Sequence, residues 1–275
     1  TVSSQTSATG IFVTAYDSCH IDNNQIELSG IIPIDSGNDI EIASIEAIEG
    51  GALRIARNRI LHDFTIRLII KTIGSVGSVE NIPKPPFTLF ITGAKVDECE
   101  HLRLESCEIT QKTQLLLPND PGQYEKVILQ YAKVILNIIN PNDQNPNDQK
   151  ECIRICGVEA NNLITGSHIL NNRILQTIEP EGFYEDVLKI LLSQLDLPSL
   201  VRLDERIYLR ALSVNRGFPS NGYTLNVENS FSGFGILHLV EIGDLEGGKF
   251  GEVTFNNNHF KFSLLMFKDS DNVFI

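Results

Sequence analysis

Arginine and histidine recur in this chain at fixed distances from a repeated asparagine, and that spacing is the part of the sequence that could do chemistry. The repeat is hydrophobic–x–x–Asn–x–hydrophobic. Its copies are Ile21-Asp22-Asn23-Asn24-Gln25-Ile26, Ile55-Ala56-Arg57-Asn58-Arg59-Ile60, Ile169-Leu170-Asn171-Asn172-Arg173-Ile174 and Phe255-Asn256-Asn257-Asn258-His259-Phe260. Val158-Glu159-Ala160-Asn161-Asn162-Leu163 follows the same rule, and Leu104-Glu105-Ser106-Cys107-Glu108-Ile109 does so with Cys in the Asn slot. Four residues before the slot stand His20, Arg54, Arg103, His168 and Thr254; one residue after it stand Gln25, Arg59, Glu108, Arg173 and His259. Stacking successive copies turns these positions into two basic columns on a chain whose net charge is −13. Guanidinium groups in a row match the carboxylates or sulfates of an anionic polymer. Arg54, Arg59, Arg103, His168 and Arg173 are therefore the candidate binding residues, for an acidic polysaccharide or a protein partner. The columns also fit a plainer role, in which long basic side chains keep a sheet face soluble and pair with nearby Glu.

Other constellations carry less. Asp97, Glu98 and Glu100, and again Asp204 and Glu205, supply neighbouring acids, but glycoside chemistry needs two carboxyls set across a cleft, which a local run cannot provide. Cys19-His20, Cys99-x-His101 and Cys152-x-x-x-Cys156 lack the two-residue cysteine spacing of a zinc knuckle and a second half-site. Five cysteines without regular spacing read as buried thiols, which leans toward a reducing compartment. Gly247-Gly248 lacks the strand–loop–helix setting of a phosphate cradle. No catalytic residue, metal or cofactor is assigned.

The elements that position the columns follow from the repeat itself. Asn accepts a left-handed backbone cheaply, so the slot reads as a corner between short strands, with aliphatics inward at −3 and +2 and the columns at −4 and +1 facing solvent. Between Ile11 and Leu117 short β-branched runs alternate with Gly, Asn, Asp and Pro, as strands do. Ile91-Thr92-Gly93-Ala94-Lys95-Val96 resembles the repeat without its Asn, and Val227-Glu228-Asn229-Ser230-Phe231 reads as a degenerate corner. Phe183 to Leu195 reads as a short helix, behind Pro180 and ended by Pro198. Thr1 to Gly10 reads as a flexible lead, Pro83 to Pro86 as a stiff excursion, and the tandem Asn-Pro-Asn-Asp-Gln of 140–149 as an exposed insertion in one domain over 11–275. The Thr1 start without Met reads as a processed or excised chain, of a secreted, surface or assembly component.

Together the corners resemble the right-handed parallel β-helix, the pectate-lyase-like architecture, in which a turn Asn stacks on the Asn of the next coil. The resemblance covers the copies between Cys19 and Phe262 and implies an all-β solenoid with loop insertions. The spacing departs from a plain coil: Asn161 to Asn172 is only 11 residues. A β-sandwich or jelly roll is the alternative, since turns every 8–12 residues serve it too. With 22 basic against 35 acidic residues, a nucleic-acid partner is excluded for want of a dominant basic surface, and no apolar run is long enough for a membrane span. The functional expectation is a non-catalytic structural or binding module, a surface, fibre or assembly component contacting glycans or proteins and able to self-associate. The Asn-Thr-Asp, Asp-Asp and Gly-His-Gly patterns of polysaccharide hydrolases on this architecture are absent. A carbohydrate-active enzyme of β-helix type, a lyase or glycoside hydrolase, is the alternative.

Overall fold

A computed structural model describes residues 4–34, 38–68, 88–116, 125, 129, 153–163, 167–181, 193, 207–217, 222–231, 236–243, 259–264, 268–269 and 272–273. Among the described residues the elements are all strands, with Glu125, Leu129 and Ser193 as single helical residues. β1 (Ser4–Asp22), β3 (Asn38–Ala56), β5 (Thr88–Glu105), β7 (Ile153–Leu163), β9 (Ile207–Gly217) and β11 (Ile236–Gly243) stack in that order. A second stack runs β2 (Gln25–Ile34), β4 (Arg59–Leu68), β6 (Glu108–Leu116), β8 (Ser167–Glu181), β10 (Gly222–Phe231) and β12 (His259–Leu264). β13 (Lys268–Asp269) and β14 (Asn272–Val273) form a separate pair. Every pairing in the 12-stranded sheet is parallel. That excludes an antiparallel sandwich and gives a sheet that winds nearly round one axis, solenoid-like. β1 begins within the expected lead, and Ser4–Thr9 pair in register with Asn38–Ala43. Of Phe183–Leu195 only Ser193 is described, and the Pro83–Pro86 stretch, the 140–149 insertion, Thr254 and the slot Asn258 lie outside the described residues.

The aliphatic pattern sits where the repeat puts it. Ile21, Ile55, Leu104 and Ile169 at −3, and Ile26, Ile60, Ile109 and Ile174 at +2, are buried in one core. The asparagine does not take the left-handed backbone, however. That conformation falls on the residue before it, Asn23, Arg57, Ser106 and Asn171, at φ of 58°, 53°, 55° and 54°. Turning the preceding residue aims the slot side chain into the body, where it serves as a hydrogen-bonding rung. Asn58 Oδ1 accepts from the backbone N–H of Asn24 at 2.9 Å, and Asn58 Nδ2 donates to the carbonyl of Ile21 at 2.6 Å. Asn172 repeats this one rung on, accepting from Cys107 N–H at 2.9 Å and donating to Leu104 O at 3.0 Å. Rungs lie 34, 49 and 65 residues apart, and the added length falls at 69–87 and 117–152, of which only Glu125 and Leu129 are described.

A second corner resolves the crowded spacing of Asn161 and Asn172. Ala15, Glu49, Glu98 and Asn162 are also left-handed, at φ of 54°, 54°, 54° and 52°. Asn161 therefore belongs to a different bend of the same coil as Asn172. Val227–Phe231 is no corner either: it runs straight through β10, with Asn229 opposite Gln176.

Cys107 is the weak rung. Its Sγ lies 3.7 Å from Ile55 O, where an amide would place a stronger donor. Cys107→Asn supplies both amide bonds, and we expect the urea midpoint to rise by the equivalent of about 1 kcal/mol; a lower midpoint would mean that the slot cannot seat the amide.

Candidate functional site

The basic columns align through the sheet register. His20, Arg54, Arg103 and His168 face one another across successive strands, as do Gln25, Arg59, Glu108, Arg173, Asn226 and His259. The corner brings acids to the same place. Arg54 pairs with Asp22 and, through Nε and Nη2, with Glu105 Oε1 at 3.0 and 2.8 Å. Arg103 takes the other oxygen of Glu105 at 2.7 Å. Hydrogen bonds from Arg54 and then Arg103 hold the Glu105 carboxyl below its ordinary pKa. Arg173 lies 3.1 Å and Arg59 3.9 Å from the two oxygens of Glu108, and Arg57 lies 3.7 Å from Asp22. Five guanidinium groups thus share three carboxylates, so the stripe is locally positive on an acidic protein. Arg59, Arg103 and Arg173 are exposed, Arg54 and His168 are half-buried, and His168 makes no ion pair among the described residues.

A second feature was not singled out by the Asn repeat. Core aliphatics along the first stack alternate until Ile42, Ile91, Ile155 and Leu209, then skip two residues, themselves buried, to Ile45, Ala94, Val158 and Leu212. Each skip is an inward kink. A Cβ built on Gly93 would lie 2.5 Å from the Gly157 carbonyl and 2.9 Å from Ile109 Cγ2 on the opposite wall, and one on Gly157 would lie 2.7 Å from Ile174 Cγ2. The backbone can approach that wall so closely only without a side chain. The kink explains Ile91–Val96: it is a copy of another pattern, hydrophobic–x–small–hydrophobic–x–hydrophobic, shared by Ile42-Ala43-Ser44-Ile45-Glu46-Ala47, Ile155-Cys156-Gly157-Val158-Glu159-Ala160 and Leu209-Arg210-Ala211-Leu212-Ser213-Val214.

Outside the kink, outward residues are buried or half-buried. Lys95 joins Glu41 and lies 3.1 Å from Glu46. Burial opposes its charge, but the two carboxylates outweigh that and raise its pKa. Glu159 meets Arg154 at 3.3 Å and accepts from Asn161 at 3.2 Å. The Arg154 guanidinium covers the Phe90 ring at 4.1 Å and Arg210 covers Tyr208 at 4.5 Å. Ser213 Oγ, opposite Glu159 in register, is buried without a hydrogen-bond partner among the described residues. Acids and bases from successive coils thus meet on this face and pair with one another.

Inside the kink lies a polar chain. Gln111 Nε2 donates to Cys156 O at 3.0 Å and Gln176 Nε2 to Arg210 O at 2.8 Å. Bending inward has turned these carbonyls toward the core, where an unmet acceptor would be costly. Gln176 also donates to Gln111 Oε1 at 2.7 Å, and Gln111 reaches His62 Nδ1 at 3.1 Å; His62 Nε2 meets Ser44 Oγ at 2.7 Å. His62, Gln111 and Gln176 occupy one register column. Among the described residues no cluster of His, Cys, Asp and Glu could hold a metal ion, and no helix is long and apolar enough to cross a membrane. Compared with known proteins, the chain matches no family model, no curated protein and no solved structure.

Proposed function

We propose that the chain is a non-catalytic structural or binding module, a surface, fibre or assembly component built on a right-handed parallel β-helix, that holds an anionic partner along its arginine stripe. The observation that supports this reading is the register of the two columns, which sets five guanidinium groups against three carboxylates at one corner. Regular spacing along the axis suits a polymer with repeating carboxylates or sulfates, or an acidic protein surface. Arg59→Gln with Arg173→Gln removes two exposed members. Such pairs contribute roughly 0–1 kcal/mol each to stability, so the urea midpoint should hardly move. Affinity for a panel of acidic glycans and acidic proteins should fall by about tenfold or more, equivalent to about 1.4 kcal/mol. Unchanged binding would make the stripe a solubilising ion-pair ladder.

A carbohydrate-active enzyme of β-helix type is the second reading, favoured by the register that aligns Glu46, Lys95 and Glu159 on successive strands of one stack. Against it stands the pairing of each group, since Lys95 holds both Glu41 and Glu46 while Arg154 holds Glu159. Release of reducing or unsaturated ends from polysaccharides separates the two readings.

A further inference from the structure

The asparagine ladder has a direction. Each Asn Oδ1 accepts from the coil before it, and each Nδ2 donates to a carbonyl of that same preceding coil. At the first described coil the pattern is cut. Asn24 Nδ2 instead folds onto Asn58 Oδ1 at 2.9 Å and Asp22 O at 3.3 Å, and Asn24 Oδ1 accepts nothing among the described residues. β1 and β2 each have one neighbouring strand among the described residues, as do β11 and β12 at the other end. Core columns lose their cover toward the first coil. Ala8 is exposed, although Ile42, Ile91, Ile155 and Leu209 in its column are buried, and Ile11, Val13 and Leu28 are only partly covered. At the far end Phe260, in the column of Ile26, Ile60, Ile109 and Ile174, is 41% exposed.

These ends are complementary in polarity. Among the described residues Asn24 Oδ1 has no donor, which is what the leading edge of a further coil presents, while Asn24 Nδ2 is turned back onto Asn58 and Asp22. Two first coils brought together would oppose acceptor to acceptor and run antiparallel. The last coil carries apolar residues in the matching register: Leu237 shares its column with Ala8, Val240 with Ile11, Ile242 with Val13 and Phe260 with Ile26. We propose that the β1–Asn24–β2 edge docks the β11–β12 edge of a second copy of this chain, head to tail, so that one coil stack continues through successive copies. This inference rests on the structural half of the reading above and names its partner. A heterologous contact of this kind does not close and gives linear assemblies. The net charge of −13 opposes stacking, so added salt strengthens it.

Sedimentation velocity over a concentration series, at low and high salt, tests this with Ala8→Lys and Phe260→Lys. Both positions are exposed, so a lysine head can reach water and the fold should survive, as far-ultraviolet circular dichroism will check. The parent should form species larger than a dimer, and more of them at high salt. Each variant alone should stay monomeric. Their equimolar mixture should form dimers and stop, because the one competent edge on each variant is then used and both outer edges carry lysine. A parent that is monomeric throughout overturns the inference, as does a mixture that fails to dimerise or variants that assemble like the parent. Arg59→Gln with Arg173→Gln should stack normally, so loss of glycan binding and loss of stacking are separate outcomes. Release of sugar ends by a chain that still stacks would sink the non-catalytic reading alone.

Discussion

Asn172→Asp should be among the most damaging single-atom exchanges in the protein at neutral pH, with the unfolding midpoint falling by the equivalent of on the order of 4 kcal/mol. Asn172 is 0% exposed. Its Oδ1 could still accept from Cys107 N–H, but the new oxygen would face the Leu104 carbonyl at the 3.0 Å distance where Nδ2 now donates. A buried carboxylate with one donor is poorly compensated, and the loss is a large part of a typical folding stability of about 5–15 kcal/mol. Asn172→Ala leaves the Cys107 N–H and Leu104 carbonyl unmet without adding charge, and should cost roughly 2–4 kcal/mol. The two variants differ in pH response. Burial raises the folded-state pKa of the introduced carboxyl above its unfolded value, so the folded form binds more protons and stability relative to the parent recovers as pH falls. A protonated carboxyl can again donate to Leu104. The alanine variant has no such recovery. Urea titrations of parent and variants at neutral and mildly acidic pH decide the matter. Equal midpoints for parent and Asn172→Asp would show that the ladder does not hold the coils.

The rung was legible in the sequence because its signal is local. Six consecutive residues contain the turn, the inward amide and both flanking aliphatics, so Ile55, Asn58 and Ile60 announce themselves without knowledge of the rest of the chain. The columns were legible for the same reason: a fixed offset from a local corner is preserved by any register. What each column meets is not local. Arg54 finds Asp22 and Glu105 only because intervals of 34 and 49 residues close on the same corner, and nothing near residue 54 reports where they close. The kink is not legible in the sequence because its marker is a small residue that varies, Gly10, Ser44, Gly93, Gly157 and Ala211. Its physical requirement is room beside an opposite wall supplied by another strand, as Ile109 does for Gly93. A spacing of three between buried aliphatics, as from Ile91 to Ala94, was the available clue. It breaks strand alternation and mimics the −3 position of the Asn repeat.

The polar chain inside the kink converts this geometry into a response to acid. Gln176 and the Cys156 carbonyl fix the amide of Gln111: its Oε1 accepts from Gln176 and its Nε2 donates to Cys156 O. The second Nε2 hydrogen then points at His62 Nδ1, which must be the unprotonated nitrogen, leaving Nε2–H to donate to Ser44 Oγ. A second proton on the ring would set N–H against N–H. The Phe64 ring lies 5.5 Å away, and no carboxylate is hydrogen-bonded or ion-paired to the imidazole among the described residues. Burial accordingly lowers the His62 pKa from its ordinary 6.5 to about 4. Below 6.5 the unfolded chain takes up a proton that the folded chain refuses, so the contribution is complete above that pH and is lost as pH falls toward 4. The linked cost is about 3 kcal/mol. His62→Gln should cancel it, since glutamine already fills this column at Gln111 and Gln176. Denaturant midpoints should show the parent losing about 3 kcal/mol relative to His62→Gln between neutral pH and the acid limit, with carboxylate titrations common to both cancelling in the difference. Parallel curves would mean that the imidazole can be protonated inside the folded chain, and that the ordered amides of Gln111 and Gln176 do not fix its tautomer.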